Sequence, residues 1–224
     1  MRPRPVVAID GPSGVGKTTV ARGLARRLGM IYVDSGALYR SLAWLAAQDG
    51  VSWDDAEGLA ALAGRHRFAF DREGRALVDG ELAGKRIRTL RMSEGASTVA
   101  QHPMVRKALL TIQRDLGANG GVVLEGRDIG TVVFPDAEVK FFLAASPKVR
   151  ALRRWKEMQA HGEQATLEQV ERDQEARDRK DRGRSVAPLI KADDAVEISC
   201  DDMGPDEVVA LMAARVEGCG ATSA

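Results

Sequence analysis

The chain has 224 residues, 33 of them basic and 32 acidic, and this near balance gives no overall pull toward nucleic acid or an anionic membrane. Hydrophobic residues make up 44% of it, enough for a sizeable core, yet no apolar run approaches the ~18 residues a membrane span needs. Cys200 and Cys219 lack C-x-x-C spacing, His66, His102 and His161 are scattered, and Met1-Arg2-Pro3-Arg4-Pro5 lacks a signal-peptide apolar region; these features weigh against a disulfide framework, a zinc site and export, and read as a cytoplasmic globular protein.

Val6-Val7-Ala8-Ile9 is a short β-branched run that reads as a buried strand. It leads into Gly11-Pro12-Ser13-Gly14-Val15-Gly16-Lys17-Thr18, a match to the phosphate-binding pattern G-x-x-x-x-G-K-[ST]. A helix is predicted from Thr18 to Leu28, with Val20, Leu24 and Leu28 as its buried stripe. The glycines let backbone N–H groups turn toward an anion, to which the helix adds its positive end. Lys17 can then reach the β/γ-phosphates, and the Thr18 hydroxyl can ligate Mg²⁺. Ile31-Tyr32-Val33 reads as a second strand, ending at Asp34-Ser35-Gly36, before a helix from Ala37 to Ala47 carrying Leu38, Leu42 and Leu45. Between His66 and Ile87, short alternating runs separated by Glu73-Gly74 and Asp79-Gly80 read as antiparallel hairpins.

Further on, Val105–Leu116 and Asp206–Val216 read as amphipathic helices. Val122–Leu124, Val139–Leu143 and Ala195–Ile198 read as strands. Strands alternating with helices predict an α/β fold, a parallel sheet flanked by helices as in P-loop NTPases. The hairpins form a small antiparallel β insertion within it. Gly218–Ala224, small or polar, is expected to be a disordered tail.

The chain's only asparagine, Asn119, is followed by Gly120, so the Asn-Lys-x-Asp guanine motif of GTPases is missing. No apolar strand ends in the Asp-Glu pair of a motor or transporter ATPase; Val122-Val123-Leu124-Glu125 runs instead into Gly126-Arg127-Asp128. A small kinase fits best, with ATP on the loop and an acceptor facing it. Arg177-Asp178-Arg179-Lys180-Asp181-Arg182-Gly183-Arg184 holds five basic and two acidic residues in eight. Alone it reads as a solvated helix face laced with ion pairs. If helical throughout, it sets Arg177, Asp181 and Arg184 on one face. Beside Arg127 and Arg40 it supplies cations for a second phosphate, which guanidinium forks bind bidentately.

These segments resemble the bacterial cytidylate kinases. The shared stretches are Ile9–Gly14 running into Gly16-Lys17, Asp34–Arg40, Gly126–Ala137, Ser97 with Val105-Arg106, and Arg177–Arg184 followed by Ser185-Val186-Ala187-Pro188-Leu189. The likeness spans nearly the whole chain in the same order; it departs in Thr18-Thr19, where some members have Gly-Thr, and in Glu125, where others have Asp. It implies ATP on Gly11 to Thr19 and an acceptor phosphate held by Arg40, Arg127 and Arg184, with Lys17, Arg127 and Arg184 serving catalysis. Ribose would meet Ser35, Arg177 and Asp181, close to Asp34, and cytosine would meet Ser97, Arg106 and Asp128. The likeness also implies a single kinase domain, with a core of about 1–35, 103–145 and 185–217 and a nucleoside-monophosphate region of about 36–102. A short helical lid of about 146–166 would bring Arg153 or Arg154 to ATP. The expected cofactor is Mg²⁺, the partners are ATP and CMP or dCMP with no nucleic acid or membrane, and the working form is a monomer. Glu125 is a candidate to hold an Mg²⁺-bound water.

The base assignment makes chemical sense. Cytosine offers an N4 amino donor to Asp128 and its N3 and O2 acceptors to Arg106, whereas uracil reverses the pattern at O4 and N3. No general base is needed, because a phosphate monoester with a second pKa near 6 is already anionic at pH 7. Two other readings remain open on sequence alone: a shikimate-type kinase using Asp34 as base on a hydroxyl, and a non-catalytic nucleotide-sensing or RNA-associated P-loop protein.

Overall fold

The computed structural model describes residues 2–160, 162 and 164–220. Five short strands, β1 (Val6–Asp10), β2 (Ile31–Asp34), β6 (Val122–Gly126), β7 (Val139–Ala144) and β8 (Val196–Ser199), form one sheet in the order β2-β6-β1-β7-β8. Every pairing in it is parallel. β1 and β6 are buried at every position, as a central parallel strand covered on both faces must be. Val7 and Ile9 face one core, shared with α1 (Lys17–Leu28) and α8 (Pro205–Gly220), where Val20, Leu24, Val208 and Met212 pack. Val6 and Ala8 face the other, with Val33, Leu124, Ile129 and Phe134.

A third core lies beyond β2. It is built from α2 (Ser35–Asp49), α3 (Ala56–Arg65), α4 (Leu90–Val99) and α5 (Pro103–Gly117), together with the inserted strands β3 (Phe68–Phe70), β4 (Ala76–Val78) and β5 (Glu81–Leu82). These three strands pair antiparallel, as their alternation predicts. Asp79 (φ 52) and Gly80 (φ 86) form a two-residue turn between paired Val78 and Glu81, the geometry that an Asp-Gly hairpin favours. At the other turn, Gly74 (φ 71) sits against Tyr32 of β2, the edge strand of the large sheet. The insertion thus covers a strand edge that would otherwise be open.

Several boundaries differ from the sequence reading. α3 and α4 were not anticipated, because their apolar stripes are short and interrupted by glycine. The chain after β6 turns through a π-helical segment, Ile129–Val133. The segment expected as a short lid is a helical hairpin, α6 (Pro147–Ala160) and α7 (Leu167–Arg182). α7 stops at Gly183, so Arg184 lies past the helix and not on its face. Gly218–Gly220 belong to α8, not to a tail, and residues 221–224 lie outside the described residues. Among the described residues no helix is long and apolar enough to cross a membrane.

A Cβ at Gly74 would lie 2.3 Å from Tyr32 Cδ1 and 2.9 Å from the Tyr32 carbonyl oxygen, whereas one at Gly80 would meet nothing within 4 Å. Gly80→Ala therefore carries only the left-handed strain, about 1–2 kcal/mol. Gly74→Ala adds overpacking and costs about 2–5 kcal/mol in all. Urea unfolding of the two variants should separate them in that order; equal midpoints would mean that the hairpin tip is not seated on β2.

Candidate active site

The loop from Gly11 to Gly16 joins the end of β1 to the start of α1, at the carboxyl edge of the sheet where ligands of open α/β folds bind. Gly14 (φ 75) and Gly16 (φ 100) take left-handed backbone that turns N–H groups inward. Gly16 caps α1 without any side-chain hydrogen bond, which leaves the first-turn amides for an anion. Lys17 is buried, and its Nζ donates to the carbonyls of Gly11 (2.8 Å) and Pro12 (2.7 Å). Burial, with Arg127 and Arg177 nearby, pushes its ammonium down to about 7. Val15 is buried, Thr18 half-buried, and Thr19 exposed on α1.

Across from the loop stands a half-buried cationic group. Asp181, 1% exposed, accepts from Arg127 Nε at 2.9 Å and makes a short ion pair with Arg184. Burial raises the Asp181 carboxyl, but Arg127, Arg184 and Arg177 outweigh it and hold the group below its usual range. Arg184 keeps its Nε buried without a partner, and burial lowers its guanidinium; Arg177 shares both features. Its Nε is buried with no hydrogen-bond partner, and burial plus the charges of Arg127, Arg40 and Arg184 lower its guanidinium to about 10. An arginine in that condition is stabilised by a second anion. Arg40 completes the group from α2, tied to Asp34 at 2.7 Å. Asp34 also caps α2 by accepting from Ala37 N (3.0 Å); burial raises its carboxyl, yet Arg40 and the capping amide hold it low. A carboxylate so held makes a poor general base, which removes the geometric basis for the hydroxyl-kinase reading.

A separate pair lies deeper. Arg106 of α5 donates to Asp128 at 2.5 Å, both nearly buried, and Arg106 lies 5.6 Å above the Tyr39 ring. Arg106 takes Oδ2 of Asp128, which leaves Oδ1 to receive an amino group. Ser97 is half-buried on α4. Ser35 Oγ donates to the Glu125 carbonyl at 2.7 Å and ties α2 to β6.

The hairpin residues divide. Arg153 reaches the loop, donating to the carbonyls of Val15 (3.3 Å) and Cys200 (2.5 Å). Arg154 turns away to Glu157 at 2.9 Å and takes no part in the group. Arg150, which sequence reasoning left unassigned, pairs with Asp178 at 2.6 Å deep in the interface of α6 with the loop. Asp178, Gln174 and Tyr32 were also missed. Only the i, i+4 spacing of Gln174 and Asp178 could have pointed to two of them.

For a metal, among the described residues no three His, Cys, Asp or Glu side chains form a cage. What the chain offers is the half-buried Thr18 hydroxyl at the start of α1 and the buried Glu125 carboxylate, which accepts a short hydrogen bond from Tyr32 Oη. Burial, then Asp34, raises the Glu125 carboxyl. This oxygen donor set fits a hard dication that keeps waters and takes its remaining ligands from phosphates.

Sheet order, loop and paired cationic groups define a P-loop phosphotransferase. The cytidylate kinase family model matches residues 7–218. A cytidylate kinase of Geobacter sp. (strain M21) is 49% identical over 215 residues, covering 95% of this chain and 92% of that protein. One from Pelotomaculum thermopropionicum is 46% identical over 216 residues, with 95% and 96% covered. The chain belongs to the cytidylate kinase family. A crystal structure of an uncharacterized protein from Eubacterium ventriosum ATCC 27560 has a TM-score of 0.51 at 11% identity, over 96% of this chain and 99% of that one, a likeness of fold alone.

Asp10 closes the site from below: its two carboxylate oxygens accept from Ile129 N (2.9 Å) and Gly130 N (2.8 Å) and shape the π-helical segment. Burial raises its carboxyl to about 6 in spite of those donors. An unfolded aspartate ionises near 3.9, so the folded chain binds more protons between that value and about 6. Stability from this group is full below the window and falls as pH rises through it, by about 3 kcal/mol. Asp10→Asn removes that slope. Its unfolding free energy, taken as a difference from wild type, should improve from pH 4.5 to 7.5; a flat difference would mean that Asp10 ionises normally.

Proposed function

We propose that the chain transfers the γ-phosphoryl group of ATP to CMP and dCMP, giving CDP and dCDP. The observation that carries the acceptor side is the half-buried arginine group: Arg127, Arg177 and Arg184 around the buried Asp181, with Arg40 on Asp34 beside them, and Arg127 and Arg177 near Lys17. An anion on each side of Lys17 is what a phosphate-to-phosphate transfer requires.

Each residue has a part in this reading. The amides of Gly11 to Thr18 and the Lys17 ammonium receive the β- and γ-phosphates of ATP, with Thr19 beside them at the start of α1. Arg153, already on the loop, is the lid arginine placed to contact ATP, and Arg154 is not. Thr18, with Glu125 behind it, would hold Mg²⁺, which when bound neutralises charge on the transferred group. Arg40, Arg127 and Arg184 receive the acceptor phosphate, while Ser35, Arg177 and Asp181 stand toward the ribose, with the Arg177 charge also close enough to assist at the phosphate. Asp128 and Arg106, with Ser97, read the cytosine edge.

No side chain has to remove a proton, because the acceptor oxygen is anionic at neutral pH. The difficulty is repulsion between two anions. Lys17 and the arginines remove it by being fixed beforehand, so no reorganisation is needed as charge shifts from one phosphate to the other. Asp181 is the organiser, since it spaces Arg127 and Arg184 before substrate arrives. Replacing it would leave the cations mutually repelling and buried.

The test is ADP formation from ATP and Mg²⁺ with CMP, dCMP, UMP, AMP, GMP and shikimate as acceptors. CMP and dCMP should exceed UMP by about 5–150-fold in kcat/KM, the equivalent of about 1–3 kcal/mol for one bidentate pair. Asp128→Ala should erase most of that preference. Equal use of UMP by wild type would overturn the role of Asp128 and Arg106, and turnover of shikimate alone would overturn the acceptor class.

A further inference from the structure

α7 buries a stripe that is polar for most of its length. Val170, Gln174, Asp178 and Asp181 point inward at i, i+4, i+8 and i+11. Asp178 and Arg150 bracket the backbone of one residue of the phosphate loop: Asp178 Oδ1 accepts from Ser13 N at 3.2 Å, and its Oδ2 pairs with Arg150 Nη1 at 2.6 Å. The same Arg150 nitrogen donates to the Ser13 carbonyl at 2.9 Å. The next residue, Gly14, is held from the same side: a Cβ there would lie 2.3 Å from Gln174 Nε2, and Gln174 Oε1 is buried without a partner. Arg177, next to Asp178, and Asp181, one helical turn along, belong to the acceptor group, and Arg127 feels the charge of both Asp181 and Asp178.

We propose that Asp178 is a positioning residue that couples the two halves of the site: with Gln174 it fixes the crown of the donor loop to the helix whose next turn holds the acceptor phosphate. The inference rests on the assignment of Arg177 and Asp181 to the acceptor. Its physical content is rigidity. A helix transmits displacement along its axis through its backbone hydrogen bonds. CMP that draws Arg177, the neighbour of Asp178 on α7, into place therefore also sets Ser13 and Gly14, and the ordering of the donor loop is then already done when ATP arrives. By linkage, ATP must assist CMP by the same factor.

The experiment is calorimetric titration of the Mg²⁺ complex of β,γ-imido-ATP, with and without saturating CMP. In wild type, CMP should tighten analogue binding at least fivefold. In Asp178→Asn, which keeps a carbonyl for the Ser13 amide but loses the charge on Arg150, both ligands should still bind while the factor drops below twofold. Gln174→Ala, a milder change at the same contact, should lower the factor as well and carries the test if the Asp178 variant fails to fold. A wild-type factor of one, or an unchanged factor in whichever of these variants folds, overturns the proposal; so does loss of CMP binding in Asp178→Asn. Asp181→Asn separates this from the underlying assignment: it should weaken CMP at least tenfold, and wild-type CMP affinity in that variant would sink the acceptor reading itself.

Discussion

Everything in this site depends on keeping like charges close together in a buried place. Arg127 and Arg177 both depress Lys17, and Arg127, Arg40 and Arg184 depress Arg177. Such a group is unstable in isolation, since each cation has lost water and gained repulsion. The chain answers with carboxylates placed between the cations: Asp181 between Arg127 and Arg184, Asp34 against Arg40, and Asp178 against Arg150. Within this group of five, Arg177 and Arg184 each keep a buried Nε without a partner. In the proposed reading the stabilisation still missing would come from a bound phosphate, so affinity for substrate and strain in the site would have one origin.

This logic explains why the fold is arranged as it is. The parallel sheet brings Asp10, Asp34 and Glu125 to neighbouring strand ends, because parallel strands all finish at one edge. That edge would be a row of repelling acids without the lysine and arginines set above it. The β insertion contributes at a distance: by seating Gly74 on Tyr32 it fixes the strand whose tyrosine donates to Glu125. Its hairpins are part of the frame that positions the Glu125 carboxylate.

Much of the fold was legible in the sequence because its strands are short β-branched runs and its P-loop is a fixed string of residue types. The hairpins were legible for the same reason, since Asp79-Gly80 is a turn with few conformations open to it. The arginines of the acceptor group could be read as cations but not as neighbours: Arg40, Arg127 and Arg177 are far apart in the chain. α7 was the least legible element. Hydrophobic periodicity finds faces that pack on apolar surface, and the buried face of α7 packs on a backbone loop and on guanidinium groups. Gln174 and Asp178 are therefore invisible to the method that located Leu24 or Leu124. Arg184 was placed on the wrong side of the helix end, yet it still meets Asp181, because Gly183 ends the helix and the short return brings Arg184 back within reach.

The segment after Arg184 shows how that return is enforced. Ala187 has φ 53, a left-handed conformation that costs a non-glycine residue about 1–2 kcal/mol, and it immediately precedes Pro188. The strain is held by the surroundings: Ala187 is buried and Leu189 N donates to the Asp181 carbonyl at 2.9 Å. The backbone of Asp181 is thereby fixed by the strained loop while its side chain is fixed by two arginines. A carboxylate restrained from both ends cannot follow its cations if they drift; they must come to it. The arginine group is thus organised around a fixed anion, and in the proposed reading the substrate phosphate would enter as the second anion.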